Sequence, residues 1–251
     1  MENTLVGYRS TTIEADTEPP LLVCFHHAGG GASAFRTWRS ALDDSSRLRA
    51  VQLPGREDRY HHPRHVELAP LVADLAAELH DVLREPHVLF GHSMGALIAY
   101  HLARQRVAAG HRPPVRLIVA ASAAPQLDRR LFGTDDMTDM ELGTALHQVG
   151  GLPRELLRRP DWLGPLLAVV RDDIRVCNSH RYRPAPPLPC PIHVFGGRAD
   201  PLVTEADLRG WADHTSGEFS LTMLDAGHFL VQESEAGLRE EVFARIGLRW
   251  P

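Results

Sequence analysis

The chain has 251 residues, 43% of them hydrophobic, which is enough for one full-sized core. Lys plus Arg number 27 against 32 acidic residues, a formal charge of −5 with no lysine at all, which argues against a nucleic-acid or membrane-surface partner. Cys24, Cys177 and Cys190 have no paired spacing and exclude a disulfide framework, and no apolar run approaches a membrane span, so a cytoplasmic location is expected.

Residues 1–20 are polar and acidic, without the basic start and apolar run of a signal peptide, and read as a lead-in ending at Pro19-Pro20. Leu21 to Phe25 is a continuous apolar run, the pattern of a strand buried on both faces. It runs into His26-His27-Ala28-Gly29-Gly30-Gly31, which lacks both the Lys-Ser/Thr of a phosphate loop and the spacing of a dinucleotide fingerprint. Ser33 to Leu42 predicts a helix, and Leu48 to Leu53 a strand ended by Pro54-Gly55-Arg56. The histidines at 26, 27, 61, 62 and 65 lack companions at ligand spacing, so no metal is expected. Leu68 to Leu83 repeats apolar residues at helical intervals.

The chain is organised around the stretch that follows. Val88 to Phe90 is apolar, stops at Gly91-His92-Ser93-Met94-Gly95, and passes into an Ala- and Leu-rich helical pattern. Strand, sharp turn and helix with serine at the apex make a G-x-S-x-G nucleophile elbow. Small residues two positions either side of the serine keep strand and helix from clashing. Ser93 is then the candidate nucleophile, and the Met94 amide, at a helix N-terminus, a candidate oxyanion donor. By position after the first strand, the Ala28 amide is the second donor.

Val115 to Ala121 predicts another buried strand, and strands alternating with helices argue for a mostly parallel α/β sheet. Between about Ala123 and Pro189 the strand signal lapses, and helical patterns near 138–149, 153–157 and 160–177 replace it. The expected organisation is one core domain, 1–124 with 188–251, carrying a helical lid insertion at 125–187. Pro191 to Phe195 resumes the sheet and leads to Gly196-Gly197-Arg198-Ala199-Asp200, whose Asp200 is the candidate acid. After a helix at 203–211, the last strand, Phe219 to Leu224, delivers Asp225-Ala226-Gly227-His228, with His228 the candidate base. Asp225 competes with Asp200 but stands too near His228 in sequence to face its ring. The order Ser, Asp, His is satisfied.

These motifs, with Gln52-Leu53-Pro54-Gly55-Arg56 and Gly150-Gly151-Leu152-Pro153, resemble the type II (free-standing, editing) thioesterases of polyketide and nonribosomal peptide assembly lines, in the α/β-hydrolase superfamily. The resemblance covers nearly the whole chain. It implies an α/β-hydrolase fold, a monomer without cofactor, and hydrolysis of acyl groups from the phosphopantetheine arm of an acyl or peptidyl carrier protein. Arg56, Arg59, Arg154, Arg158 and Arg159 are candidate contacts to that acidic partner. The departures are His26 for the family's usual proline, Ala226 for a glycine, and Ser179-His180 for a frequent Glu-Tyr pair. A small-molecule esterase with the same triad is the alternative reading. A non-catalytic binding module on this fold would be expected to have lost triad members.

Overall fold

The structure, a computed structural model, describes residues 18–127 and 136–249. Most of the lead-in and residues 128–135 of the expected lid therefore lie outside the described residues. Six parallel strands form one sheet in the order β2-β1-β3-β4-β5-β6. They are β1 (Leu21–Phe25), β2 (Leu48–Ala50), β3 (His87–His92), β4 (Arg116–Ala120), β5 (Ile192–Gly197) and β6 (Phe219–Leu224).

The helices between them are α1 (Arg36–Ser40), α2 (Leu68–Glu78) and α3 (Met94–Ala108), then α4 (Asp139–Gln148), α5 (Pro160–Asn178) and α6 (Glu205–Arg209). Two more, α7 (Leu230–Glu233) and α8 (Glu235–Ile246), follow the last strand. The sequence reading named no element there. Several expected elements are shorter than their apolar runs. β2 stops at Ala50 because Pro54-Gly55 turns the chain, although Val51 N–H still reaches the Cys24 carbonyl at 2.9 Å. The expected helix at 33–42 begins as a 3-10 turn, Ala32–Phe35.

Alternation along each strand sorts the core into two layers. Leu21, Val23, Phe25, Leu89, Leu117, Val119 and Val194 face α2, α3 and the Trp211 turn. Leu22, Cys24, Val88, Phe90, Ile118 and Phe195 face the other way, against Phe35, Trp38 and the α8 residues Leu238, Val242 and Phe243. The run after β4 packs a small core of its own, Leu142, Leu152, Leu163, Leu167, Val170 and Ile174. A capping box, Thr138 with Glu141, starts α4, and Pro160 opens α5.

The strand order places the site. The chain leaves β1 for one side of the sheet and returns as β3 on the other, so the loops after β1 and β3 part at a topological switch point. Phe25 pairs with Gly91 in the β1–β3 register, which puts Ala28 and Met94 each three residues beyond matched positions. Gly197 likewise pairs with Leu224, so Asp200 and His228 leave adjacent strand ends.

Two glycines permit this convergence. A Cβ on Gly91 would strike the Gly95 carbonyl, and one on Gly95 would strike the carbonyl of Phe25. Both obstacles are backbone and cannot rotate away. Gly95→Ala is therefore expected to destabilise the protein by about 3 kcal/mol, measured as a lower urea midpoint, with thioester or ester hydrolysis lost in parallel.

Candidate active site

Ser93 takes a left-handed conformation, φ 55° and ψ −116°, at the junction of β3 and α3. A side-chain-bearing residue held there is strained, and strain of this kind persists only where the surroundings over-determine it. Here the Ser93 amide is fixed to the Ala120 carbonyl at 2.8 Å, and the Ala96 amide to the Ser93 carbonyl at 3.0 Å. The hydroxyl lies 2.9 Å from His228 Nε2.

His228 Nδ1 lies 2.9 Å from Asp200 Oδ2. An ionised carboxylate only accepts, so Nδ1 carries the proton and donates, leaving Nε2 bare to accept from Ser93. The other oxygen of Asp200 accepts from the Leu202 and Val203 amides, at 2.8 and 3.1 Å. Those bonds hold the carboxylate's plane. Asp225, the rival acid, is exposed and pairs instead with Arg198 at 3.1 Å. The loop carrying His228 is tied from α7, where Glu233 accepts from the Gly227 and Phe229 amides at 2.7 and 3.3 Å. No motif announced Glu233, since nothing local links it to the histidine loop.

The Met94 amide is the first of α3 and has no intrahelical acceptor, and the Ala28 amide likewise has no partner among the described residues. Both oxyanion candidates thus retain a free donor in the loops flanking Ser93.

The loop bearing Ala28 is held by Asp173, which no motif marks, and by Arg56. Asp173, on α5, accepts from the Gly29 amide at 2.7 Å and pairs with Arg56 through Nη1 and Nη2, at 2.5 and 2.8 Å. Arg56 also donates to the Pro54 and Gly30 carbonyls. Both side chains are buried, so Arg56 is not available to a partner protein, which corrects its assignment to the carrier-facing surface. Arg59 is also engaged, with Glu78 and the Gln52 carbonyl. Arg154, Arg158 and Arg159 are exposed, Arg159 over the Trp162 ring.

Three other imidazoles in this region are buried: His92 and His27 beside His228, and His26 next to His27 in the chain. His92 Nε2 donates to the His228 carbonyl at 2.8 Å. Burial lowers its pKa to about 3, and lowers that of His26 to about 4. Burial likewise pushes His27 well down. All three are neutral at physiological pH. Among the described residues no cluster of three or more His, Cys, Asp or Glu side chains could hold a metal ion.

Two predictions follow from these contacts. Asp173→Ala leaves Arg56 buried without its counter-charge and should cost about 3–5 kcal/mol; Asp173→Asn, which still accepts from Gly29, should lose less, by urea unfolding. Below pH 6.5 the unfolded chain protonates His26 and His92 while the fold keeps them neutral. Stability should therefore be full above pH 6.5 and fall toward pH 4, each histidine contributing up to about 1.4 kcal/mol per pH unit. Denaturant midpoints between pH 7.5 and 4.5 check this, and His92→Gln should make the slope shallower.

The family described as "Thioesterase domain" matches residues 20–248. The gramicidin S biosynthesis protein GrsT of Aneurinibacillus migulanus is 35% identical over 227 residues, covering 90% of this chain and 89% of that protein. Among solved structures, the RedJ thioesterase from the prodiginine pathway of Streptomyces coelicolor superposes with a TM-score of 0.83 at 32% identity, over 95% of this chain and 98% of that one. The type II thioesterase BorB from the borrelidin biosynthetic cluster gives 0.81 at 33%, over 91% and 93%. The α/β-hydrolase fold, the family match and these relatives agree: the chain belongs to the thioesterase family, as a type II thioesterase.

Proposed function

We propose that the chain hydrolyses acyl or aminoacyl thioesters on the phosphopantetheine arm of acyl or peptidyl carrier proteins, clearing aberrant groups or releasing product in a polyketide- or nonribosomal-peptide-type pathway. The observation that carries this is the unbroken relay Ser93–His228–Asp200, each step 2.9 Å, in a chain whose relatives serve such pathways.

Ser93 is the nucleophile, His228 the base and Asp200 the residue that orients it. His228 Nε2 takes the hydroxyl proton as Oγ attacks the thioester carbonyl carbon. The Met94 and Ala28 amides hold the oxyanion, each worth roughly 10²–10³ in rate. The carbon–sulfur bond then breaks, and the imidazolium returns its proton to the departing thiolate. Water, deprotonated by His228, attacks the acyl-serine, and the acid leaves. No metal, nucleotide or organic cofactor enters the cycle.

The stretch 125–187 serves as the lid, with α5 its hinge side, because α5 both contributes Cys177 to the cavity beside Ser93 and holds the Gly29 loop. Arg154, Arg158 and Arg159 meet the acidic carrier. The enzyme acts as a monomer in the cytoplasm; among the described residues no helix is long and apolar enough to cross a membrane.

The test is hydrolysis of acyl groups presented on a carrier protein, on N-acetylcysteamine and as simple oxygen esters, by wild type and Ser93→Ala. Cleavage best on the carrier, and lower by about 10⁶-fold in the variant, is the expected outcome. Higher efficiency on oxygen esters would make the protein an esterase instead, and full activity in Ser93→Ala would remove the mechanism. Charge reversal of Arg154, Arg158 and Arg159 together should weaken only the carrier-bound substrate; equal loss on the small thioester would exclude that docking surface.

A further inference from the structure

We infer that His180 is a partition that ends the acyl cavity and restricts the enzyme to short acyl groups; this rests on the thioesterase reading above. Two hollows lie against this residue. One, about 90 Å³, starts at Ser93 and His228 and is walled by Leu97, Ala124, Leu127, Cys177 and Leu202. The other, about 480 Å³, is a groove between α2, α3 and the segment after α5, with Leu68, Val72 and Ala108 among its apolar surfaces. Among the described residues His180 alone lines both.

The imidazole is braced from two directions. Its Nε2 is 2.9 Å from the Pro125 carbonyl, which can only accept, so Nε2 carries the proton. In the neutral ring Nδ1, 3.1 Å from His101 Nε2, then accepts, and His101 donates. The two rings meet edge to face, with centroids 4.9 Å apart. Burial drops the pKa of His101 to about 3, so that ring is neutral. One brace comes from α3 and the other from the loop after β4. A side chain fixed at both nitrogens is a wall rather than a flexible liner.

Size gives the consequence. An apolar cavity of about 150 Å³ accommodates a benzene ring. The hollow beside Ser93 is smaller, so a long acyl chain running along it meets the His180 ring. Beyond that ring the space continues. Leu97 and His101, one turn apart on α3, face the first hollow and the second respectively, a separation of roughly 6 Å along the helix. Removing the imidazole joins the two hollows.

The experiment compares kcat/KM for acetyl to decanoyl N-acetylcysteamine thioesters in wild type, His180→Ala and His180→Phe. Wild type should fall at least about 10-fold from butyryl to octanoyl. His180→Ala should abolish that fall, and His180→Phe, which retains the bulk without the hydrogen bonds, should keep it. His180→Ser, a second opening variant should the alanine protein not fold, should behave as His180→Ala. A uniform change across all lengths in the opening variants, or a flat wild-type profile, overturns the partition.

Phosphonylation of Ser93 by alkyl fluorophosphonates of matching lengths, read by intact-protein mass spectrometry, needs the serine and the cavity but no thioester turnover. The Ser93 oxygen–phosphorus bond forms as fluoride leaves, and His228 takes the proton. A length cut-off there that His180→Ala relieves supports the partition even if every thioester proves inert, an outcome that would sink only the substrate reading. Absence of that cut-off sinks the partition.

Discussion

The left-handed backbone at Ser93 is the constraint on which the site depends. To turn from β3 into α3 within one residue, the chain must bring two elements closer than side chains allow. Gly91 and Gly95 supply that closeness, and Gly95 extends it to β1 by lying against the Phe25 carbonyl. The same contact therefore fixes three things: the backbone at Ser93, the first turn of α3 with its free amide, and the strand whose loop holds Ala28. Strand order completes the arrangement, since β1 and β3 are neighbours at the point where the chain reverses direction across the sheet. A second close approach, Gly197 against the carbonyls of Ala226 and Gly227, seats the Asp200 loop on the His228 loop.

Asp173 connects the Gly29 loop to α5. A loop of three successive glycines, Gly29 to Gly31, has little intrinsic preference for one conformation, and its polar backbone must find partners under α5. The Asp173 carboxylate and the Arg56 guanidinium supply an acceptor for Gly29 and a donor for Gly30. Val170 closes from above, only 2.6 Å from where a Cβ on Gly29 would lie, so the helix seats only on glycine. A buried ion pair is weak evidence for net stability, because desolvation offsets most of the attraction. Its consequence here is geometric. Movement of α5 cannot leave the Gly29 amide, and hence the neighbouring Ala28 amide, unchanged.

Much of this was legible in the sequence because it is local. Continuous apolar runs mark strands buried on both faces, and Ser93, Asp200 and His228 each follow such a run at a glycine-bearing turn. What escaped was set by partners far apart in the chain. Arg56 and Asp173 are 117 positions apart, and an arginine met in sequence is ordinarily solvated, which is why Arg56 was read as a surface contact. The closing helices α7 and α8 were missed because charged and small residues interleave with Leu238, Val242 and Phe243; those three are buried only because Trp38 and Phe90 stand opposite. His27 and His92 read as loop or motif residues, and nothing local shows that their rings meet in one buried pocket beside His228.

That pocket bears on the chemistry. In the proposed acyl transfer His228 would become an imidazolium, and any cation beside it would oppose that charge. His92 lies 5.8 Å away ring to ring and His27 meets His92 edge to face at 5.2 Å, close enough for such repulsion to be strong at low dielectric. Burial removes the conflict by holding both rings neutral. His92 then spends its single N–H on the His228 carbonyl, fixing the backbone of the base without adding charge to its surroundings. Asp200 is left as the carboxylate in hydrogen-bond contact with His228, at 2.9 Å from Nδ1.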